Sequence, residues 1–169
     1  VSAAPVFNVP NSVTPNAETV GAAWLKALLI AANPITAPGC GIALPESTDT
    51  WRDYGFVQVR TMPGVPSDLY TRQRHSVFQV DAWACNAKGN VPPWNLAGRA
   101  ATLVQSATET APGVVVGGWT HGRTVVLPTP YRSAVVQSGY LLGDPYRVEN
   151  DPSGYARFTA TLELDWAVA

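Results

Sequence analysis

Charge is scarce in this chain. Asp, Glu, Lys and Arg make up 14% of its 169 residues, against about 25% in an average soluble domain. The 11 basic and 12 acidic residues nearly cancel. No basic stripe stands out, which argues against the electrostatic footprint of a nucleic-acid binder. Cysteine is almost absent: Cys40 and Cys85 are the two, far apart and without metal-type spacing. They fit free thiols in a reducing compartment, with a single disulfide as the alternative. No apolar run reaches the length of about 18 residues that a membrane helix needs. The first residues, Val1 to Phe7, show no basic stretch ahead of a long apolar core, so no signal peptide is expected. Disorder is excluded from the other side, because hydrophobic residues reach an ordinary 46%. The 15 prolines and 14 glycines punctuate a folded chain with long loops.

What is present begins with a helix. Thr14-Pro15-Asn16-Ala17-Glu18 carries a cap residue, an early proline and a first-turn acid. Val20, Ala23, Trp24, Ala27, Leu28 and Ala31 then form one helical stripe. Leu25, Leu29 and Ile30 lie outside that stripe, and Lys26 is the one charge from Thr19 to Ala32. A helix apolar on most sides is covered on most sides, here by its own sheet and by a neighbouring subunit. Asn33-Pro34 ends it, and residues 34–53 read as a loop. Residues 55–61 and 75–85 alternate as two strands of a long hairpin across a loop of about a dozen residues. Residues 86–90 read as a turn. A second, alanine-rich helix runs from Pro92-Pro93-Trp94 to Thr110, with Ala111-Pro112-Gly113 as its stop.

The remainder reads as β: an apolar Val114–Val116, a turn at Thr120–Arg123, a strand at Thr124–Leu127, another at Ser133–Leu142, and a polar loop at 143–154. The last segment has the clearest period of two. Phe158, Ala160, Leu162, Leu164 and Trp166 face one side; Thr159, Thr161, Glu163 and Asp165 face the other. The expectation is a single α+β domain over 1–169, in the order α-β-β-α-β-β-β. A mostly antiparallel sheet carries both helices on one face, with extended loops at 34–53, 63–74 and 143–153.

The chemical inventory is thin. Gly39-Cys40-Gly41 has two glycines of a dinucleotide loop but no strand before it. Ser138 lacks the first glycine of a nucleophile elbow, and its base would have to be His75 or His121. Cys40, in a loop, is the better reactive thiol; Cys85, closing an apolar strand, reads as buried. A zinc site would need Cys40, Cys85, His75 and His121 to converge from distant places. Asp81, Asp165 and Glu163 form either a carboxylate set for acid–base work or a solvated or subunit-facing sheet surface. His121, before Gly122, reads as a turn residue. No cofactor or metal is expected. Of the six tryptophans, Trp83 on the polar side of its strand and Trp94 at a helix start are the kind enriched at interfaces.

Four stretches together resemble the tail terminator (tail-completion, minor tail) proteins of long non-contractile-tailed phages. They are the opening helix Val20-Gly-Ala-Ala-Trp-Leu-Lys-Ala-Leu-Leu, the pair Phe56-Val-Gln-Val-Arg-Thr-Met-Pro-Gly and Val77-Phe-Gln-Val-Asp-Ala-Trp-Ala, the alanine-rich helix, and the closing Leu141-Leu-Gly-Asp-Pro-Tyr-Arg with Tyr155-Ala-Arg-Phe-Thr-Ala-Thr-Leu-Glu-Leu-Asp-Trp. They span about residues 19–168. The chain departs from the family by its length, its proline-rich 34–53 stretch and its low charge. The resemblance implies a virion protein without enzymatic activity, assembled in the host cytoplasm. A homohexameric ring would cap the head-proximal end of the tail tube and stop its polymerisation. Its partners would be copies of itself, the major tail tube protein and the head-completion or neck proteins, with DNA passing through the pore. The alternatives are a neck or tube subunit, or a small thiol enzyme using Cys40. Candidate contact residues are Trp24, Leu25 and Leu29 of the first helix, Trp83 of the sheet, and Arg72, Arg74, Tyr146 and Arg147 of the loops, with the three arginines as pore-lining candidates.

Overall fold

A computed structural model describes residues 13–63, 72–85, 92–110, 114–115, 119–149, 151–152 and 154–169, with backbone alone at 110, 114–115 and 119–122. Helix α1 spans Ala17–Ala32. Asn16 caps it, its Oδ1 accepting from the Thr19 amide at 2.8 Å and the Thr19 hydroxyl at 2.9 Å. Asn33 closes it through its amide to the Leu29 carbonyl. Strands β1 (Gly39–Gly41), β2 (Phe56–Thr61) and β3 (Gln73–Cys85) follow, then helix α2 (Pro93–Thr110). Strands β4 (Val114–Val115), β5 (Trp119–Val125), β6 (Ala134–Leu141), β7 (Tyr146–Val148) and β8 (Tyr155–Val168) complete the chain.

All eight strands join one sheet in the order β1-β2-β3-β8-β6-β5-β4, with β7 beside the first half of β8. Every pairing is antiparallel except β1 with β2. The α+β class and the helix–strand order therefore stand. Two short strands and a 3₁₀ turn were not foreseen: β1 and the 3₁₀ turn Thr48–Thr50 lie within the 34–53 loop, and β7 lies within 143–154. Thr120–Arg123, expected as a turn, is part of β5. The turn at 86–90, the helix stop at 111–113, residues 116–118 and most of the 63–74 loop fall outside the described residues.

The core lies between the helices and one face of the sheet. Phe78, Val80, Leu162, Leu164 and Trp166 point inward from β3 and β8 and meet Val20, Trp24, Leu25, Leu28 and Leu29 of α1. Ala82 meets Ala100 and Ala101 of α2, where small side chains bring helix and strand close. Gly21 has no Cβ because the Phe78 ring occupies that space: a Cβ would lie 2.9 Å from it. Gly139 is tighter still, with Trp24 and Leu164 already in the place of a Cβ.

The observed α1 face corrects the expected one. Leu25 and Leu29 are buried beside Trp24, whereas Ala27 and Ala31 of the expected stripe are exposed. The stripe sits one residue round the helix, because the larger leucines win the contact with the sheet. The sheet and α2 cover this apolar side, and no neighbouring subunit is needed to do so.

Candidate functional site

The chain's polar chemistry gathers on the outer face of the sheet, opposite the helices. Alternation along β3 and β8 puts His75, Gln79, Asp81 and Trp83 there, across from Asp165, Thr161, Thr159 and Arg157. Two separate hydrogen-bonded clusters result.

The first centres on Asp81, whose side chain is 0% exposed although it sits on the outer face. Arg60 of β2 donates to its Oδ2, and Gln79 Nε2 donates to Oδ1 at 3.0 Å and Oδ2 at 3.1 Å. Arg157 Nη1 stands 3.8 Å from Oδ2, while its Nη2 reaches Asp151 at 3.1 Å. The Arg157 guanidinium lies 4.8 Å above the Trp83 ring, whose Nε1 donates to Gln58. The flanking guanidinium groups and the Gln79 amide thus enclose the Asp81 carboxyl. Asp151 ties the β7–β8 connection onto the sheet.

The second cluster crosses β6, β8 and β3. The Ser138 hydroxyl donates to Asp165 Oδ2 at 2.8 Å, and His75 Nδ1 meets Asp165 Oδ1 at 2.7 Å. His75 Nε2 is 3.9 Å from Glu163 Oε2, which also accepts from the Tyr140 hydroxyl. That bond to Glu163 pushes the Tyr140 phenol up to about 12, helped by burial and by the charges of Glu163 and Asp165.

A bulge builds this cluster. Val136 pairs with Trp166 but Ser138 pairs with Asp165, so Gln137 is an extra residue in β6. Without it Ser138 would face the core. With it, Ser138 and Tyr140 turn outward, while Gly139 and Leu141 turn inward against Trp24 and the core. Sequence reasoning missed this switch, because a bulge interrupts the period of two without any residue type that announces it. It also missed Arg60, Gln79 and Arg157 as partners of Asp81.

Each catalytic candidate then has a place. Asp165 stands between Ser138 and His75, so the carboxylate, and not the imidazole, holds the serine. A hydrolytic triad needs the histidine in the middle. Asp81 is opposite Thr159, six residues along β8 from Asp165, roughly 20 Å away. The three carboxylates thus do not share a site. Cys40 lies in edge strand β1 and not in a loop. Its thiol turns under α1 toward the Ala22 carbonyl, 3.7 Å away. Burial pushes it from 9.0 to about 12, against the opposing pull of Lys26, which leaves almost no thiolate near neutral pH. Cys85 is buried, and burial raises its thiol too. The cysteines are both free. Cys85 and His75 sit at opposite ends of β3, and the side chain of His121 lies outside the described residues. Among the described residues no cluster of His, Cys, Asp and Glu is arranged to hold a metal.

The contact candidates divide. Trp24, Leu25 and Leu29 are buried in the chain's own core, so the expectation that they meet a partner is corrected: the sheet already fills their surroundings. Trp83 is half-buried under Arg157. Tyr146 and Arg147 are exposed on β7, and Arg147 Nε stands 3.6 Å from Glu149. Arg72 is exposed with a left-handed φ of 58°, and Arg74 lies over the Trp166 ring. Trp94 is exposed at the start of α2. A pocket of about 10 Å³, room for about one water, opens between α2, β3, β8 and Pro145. It is apolar but for Thr159, has no titratable residue in its lining, and falls below the usual size of a small-molecule site.

No family model matches this chain, and no curated protein matches it. Among solved structures it is similar to a chain of the "virion of native gene transfer agent (GTA) particle". The identity is 14% and the TM-score 0.44, over 87% of this chain and 92% of that one. A likeness of this grade says nothing of function. What the geometry itself offers is a sheet face whose polar groups bond to one another.

Among the described residues, no helix is long and apolar enough to cross a membrane.

Proposed function

We propose that this chain is a structural virion protein: a ring-forming tail terminator that caps the head-proximal end of a tail tube. One observation carries the reading. Among the described residues, His75, Asp81, Glu163 and Asp165 spend their hydrogen bonds and ion pairs on neighbouring side chains across the sheet face, and none of them lines the apolar pocket beneath α2. Such a surface is built to be rigid, not to turn over a substrate. The α+β fold with its alanine-rich second helix also fits the order of elements that the sequence resemblance rests on.

The mechanism is steric. A closed ring uses one heterologous interface repeated round an axis, so each copy presents two different patches to its neighbours. One rim of the ring imitates the growing end of the tube and occupies the addition site. The other rim lacks the next tube-binding patch and receives the neck proteins instead. No catalytic residue and no cofactor takes part. Tyr146 and Arg147, both exposed on β7, are the contacts proposed for one of these partners.

The test is tube polymerisation with the tube protein of the same virion, followed by electron microscopy. Added protein is expected to stop growth and to appear as a ring at one end of each tube. Tubes that lengthen unchecked and bear no ring overturn the reading, and a protein that instead stays with heads after virion dissociation supports the neck alternative.

A further inference from the structure

The sheet ends in two different edges, and they carry opposite charge. At one end is β1, flanked by the connection to β2. Residues 39–55 hold Glu46, Asp49 and Asp53 against one cation, Arg52, which is spent on Asp49. The three acids are exposed, and with them Ile42 at 48% and, just before β1, Ile35 at 84%. The nearby cations Lys26 and Arg99 belong to the helix layer, and Arg99 is tied to Thr36. At the other end, β4 covers only Trp119 and Thr120 of β5. Among the described residues, residues 123–125 pair with β6 on one side and with no strand on the other. From 123 to 142 the charged residues are Arg123 and Arg132, with no acid. Arg132 is exposed and donates to the Ala169 carbonyl, a bond that leaves its charge unneutralised by any described side-chain acid; Arg123 is half-buried, and Val126, on the same connection as Arg132, is 81% exposed.

We infer that these two edges meet head to tail between copies of this chain, the acidic β1 edge of one copy against the basic β5–β6 edge of the next. This rests on the ring reading above and names its repeating contact. Both edges combine exposed aliphatic side chains with a net charge, acidic at one and basic at the other, which favours this pairing and repels acid against acid. Among the described residues, each edge leaves one side of a strand without a partner strand, a backbone that a folded protein otherwise covers or blunts. The edges lie at opposite ends of a seven-strand path, roughly 25–30 Å apart. A contact between them is therefore heterologous and propagates, as a ring requires.

Charge reversal tests this. One variant carries Glu46→Lys with Asp53→Lys; the other carries Val126→Asp with Arg132→Glu. Association is read by sedimentation velocity across a concentration series, with circular dichroism as the control for folding. The wild type is expected to self-associate, and each variant alone to do so roughly a hundredfold more weakly. An equimolar mixture of the two is expected to assemble again, because every contact in an alternating ring then joins opposite charges. A wild type that assembles while both variants assemble equally well overturns this interface and leaves the ring reading standing. Variants that fall apart but are not rescued by mixing overturn the head-to-tail pairing. A wild type that stays monomeric up to about millimolar concentration, far above the dissociation constant of a stable contact, overturns the pairing. In that event the tube experiment decides the ring reading by itself.

Discussion

Strands β3 and β8 are buried twice, by opposite means. On their inner face Phe78, Leu162 and Trp166 lose water to the helices. On their outer face Asp81 is just as inaccessible, and among the described residues it is arginine and glutamine side chains that enclose it. The inner face gains from apolar area, which is indifferent to direction. The outer face depends on geometry, because an ion out of water stays there only while its partners hold. The first kind of burial makes the domain fold. The second fixes the shape of the surface the domain presents.

The largest test of this contrast is chemical. With its thiol at about 12 instead of 9.0, Cys40 has about a thousandfold less thiolate at pH 8 than an ordinary cysteine. Alkylation of the folded protein is expected to be slower than that of the urea-unfolded chain by a comparable factor. Equal rates would show that the layer between α1 and the sheet is open. Next comes Trp24→Ala, which empties the inner face where Gly139 makes room for the indole. It is expected to cost about 3–5 kcal/mol in denaturant unfolding. Asp81→Ala removes the acceptor shared by Arg60 and Gln79 and an ion-pair partner of Arg157. About 2–4 kcal/mol is expected, below the full figure for a buried pair because Arg60 is 44% exposed. A cost under about 0.5 kcal/mol, typical of ordinary surface sites, would remove the distinction drawn between the two kinds of burial.

The smallest effect is one of pH. Tyr140 holds its proton more tightly in the folded chain, at about 12 against 10.0. A raised value contributes stability that is complete below pH 10 and is lost as pH climbs toward 12. Tyr140→Phe is therefore expected to flatten part of the alkaline decline in thermal stability and to leave the curve below pH 9 unchanged in slope. An identical decline in both proteins would mean that the bond to Glu163 is not kept in solution.

Much of this was legible in the sequence, for identifiable reasons. Asn16 and Pro15 announce α1, and Asn33-Pro34 ends it. The alternation from Phe158 to Trp166 names the core side of β8. Those signals are local and repeat. The candidate site was less legible. Asp81, Glu163 and Asp165 were correctly set on the polar side of their strands, but their division into two clusters depends on which rows of β8 face which rows of β3. Trp24, Leu25 and Leu29 looked like partner contacts because a helix apolar on several sides does not say what covers it.

By itself, then, the chain's pattern determined the two helices, the long strands and the alternation that separates greasy from polar faces, since each follows from neighbours within a few residues. Only the folded molecule decided that a surplus residue at Gln137 turns Ser138 and Tyr140 outward, that Cys40 lies beneath a helix, and that an acidic edge and a basic edge stand at opposite ends of one sheet. Those outcomes depend on strand order and register. They join residues up to ninety positions apart, as His75 and Asp165 are, and no local periodicity reaches that far.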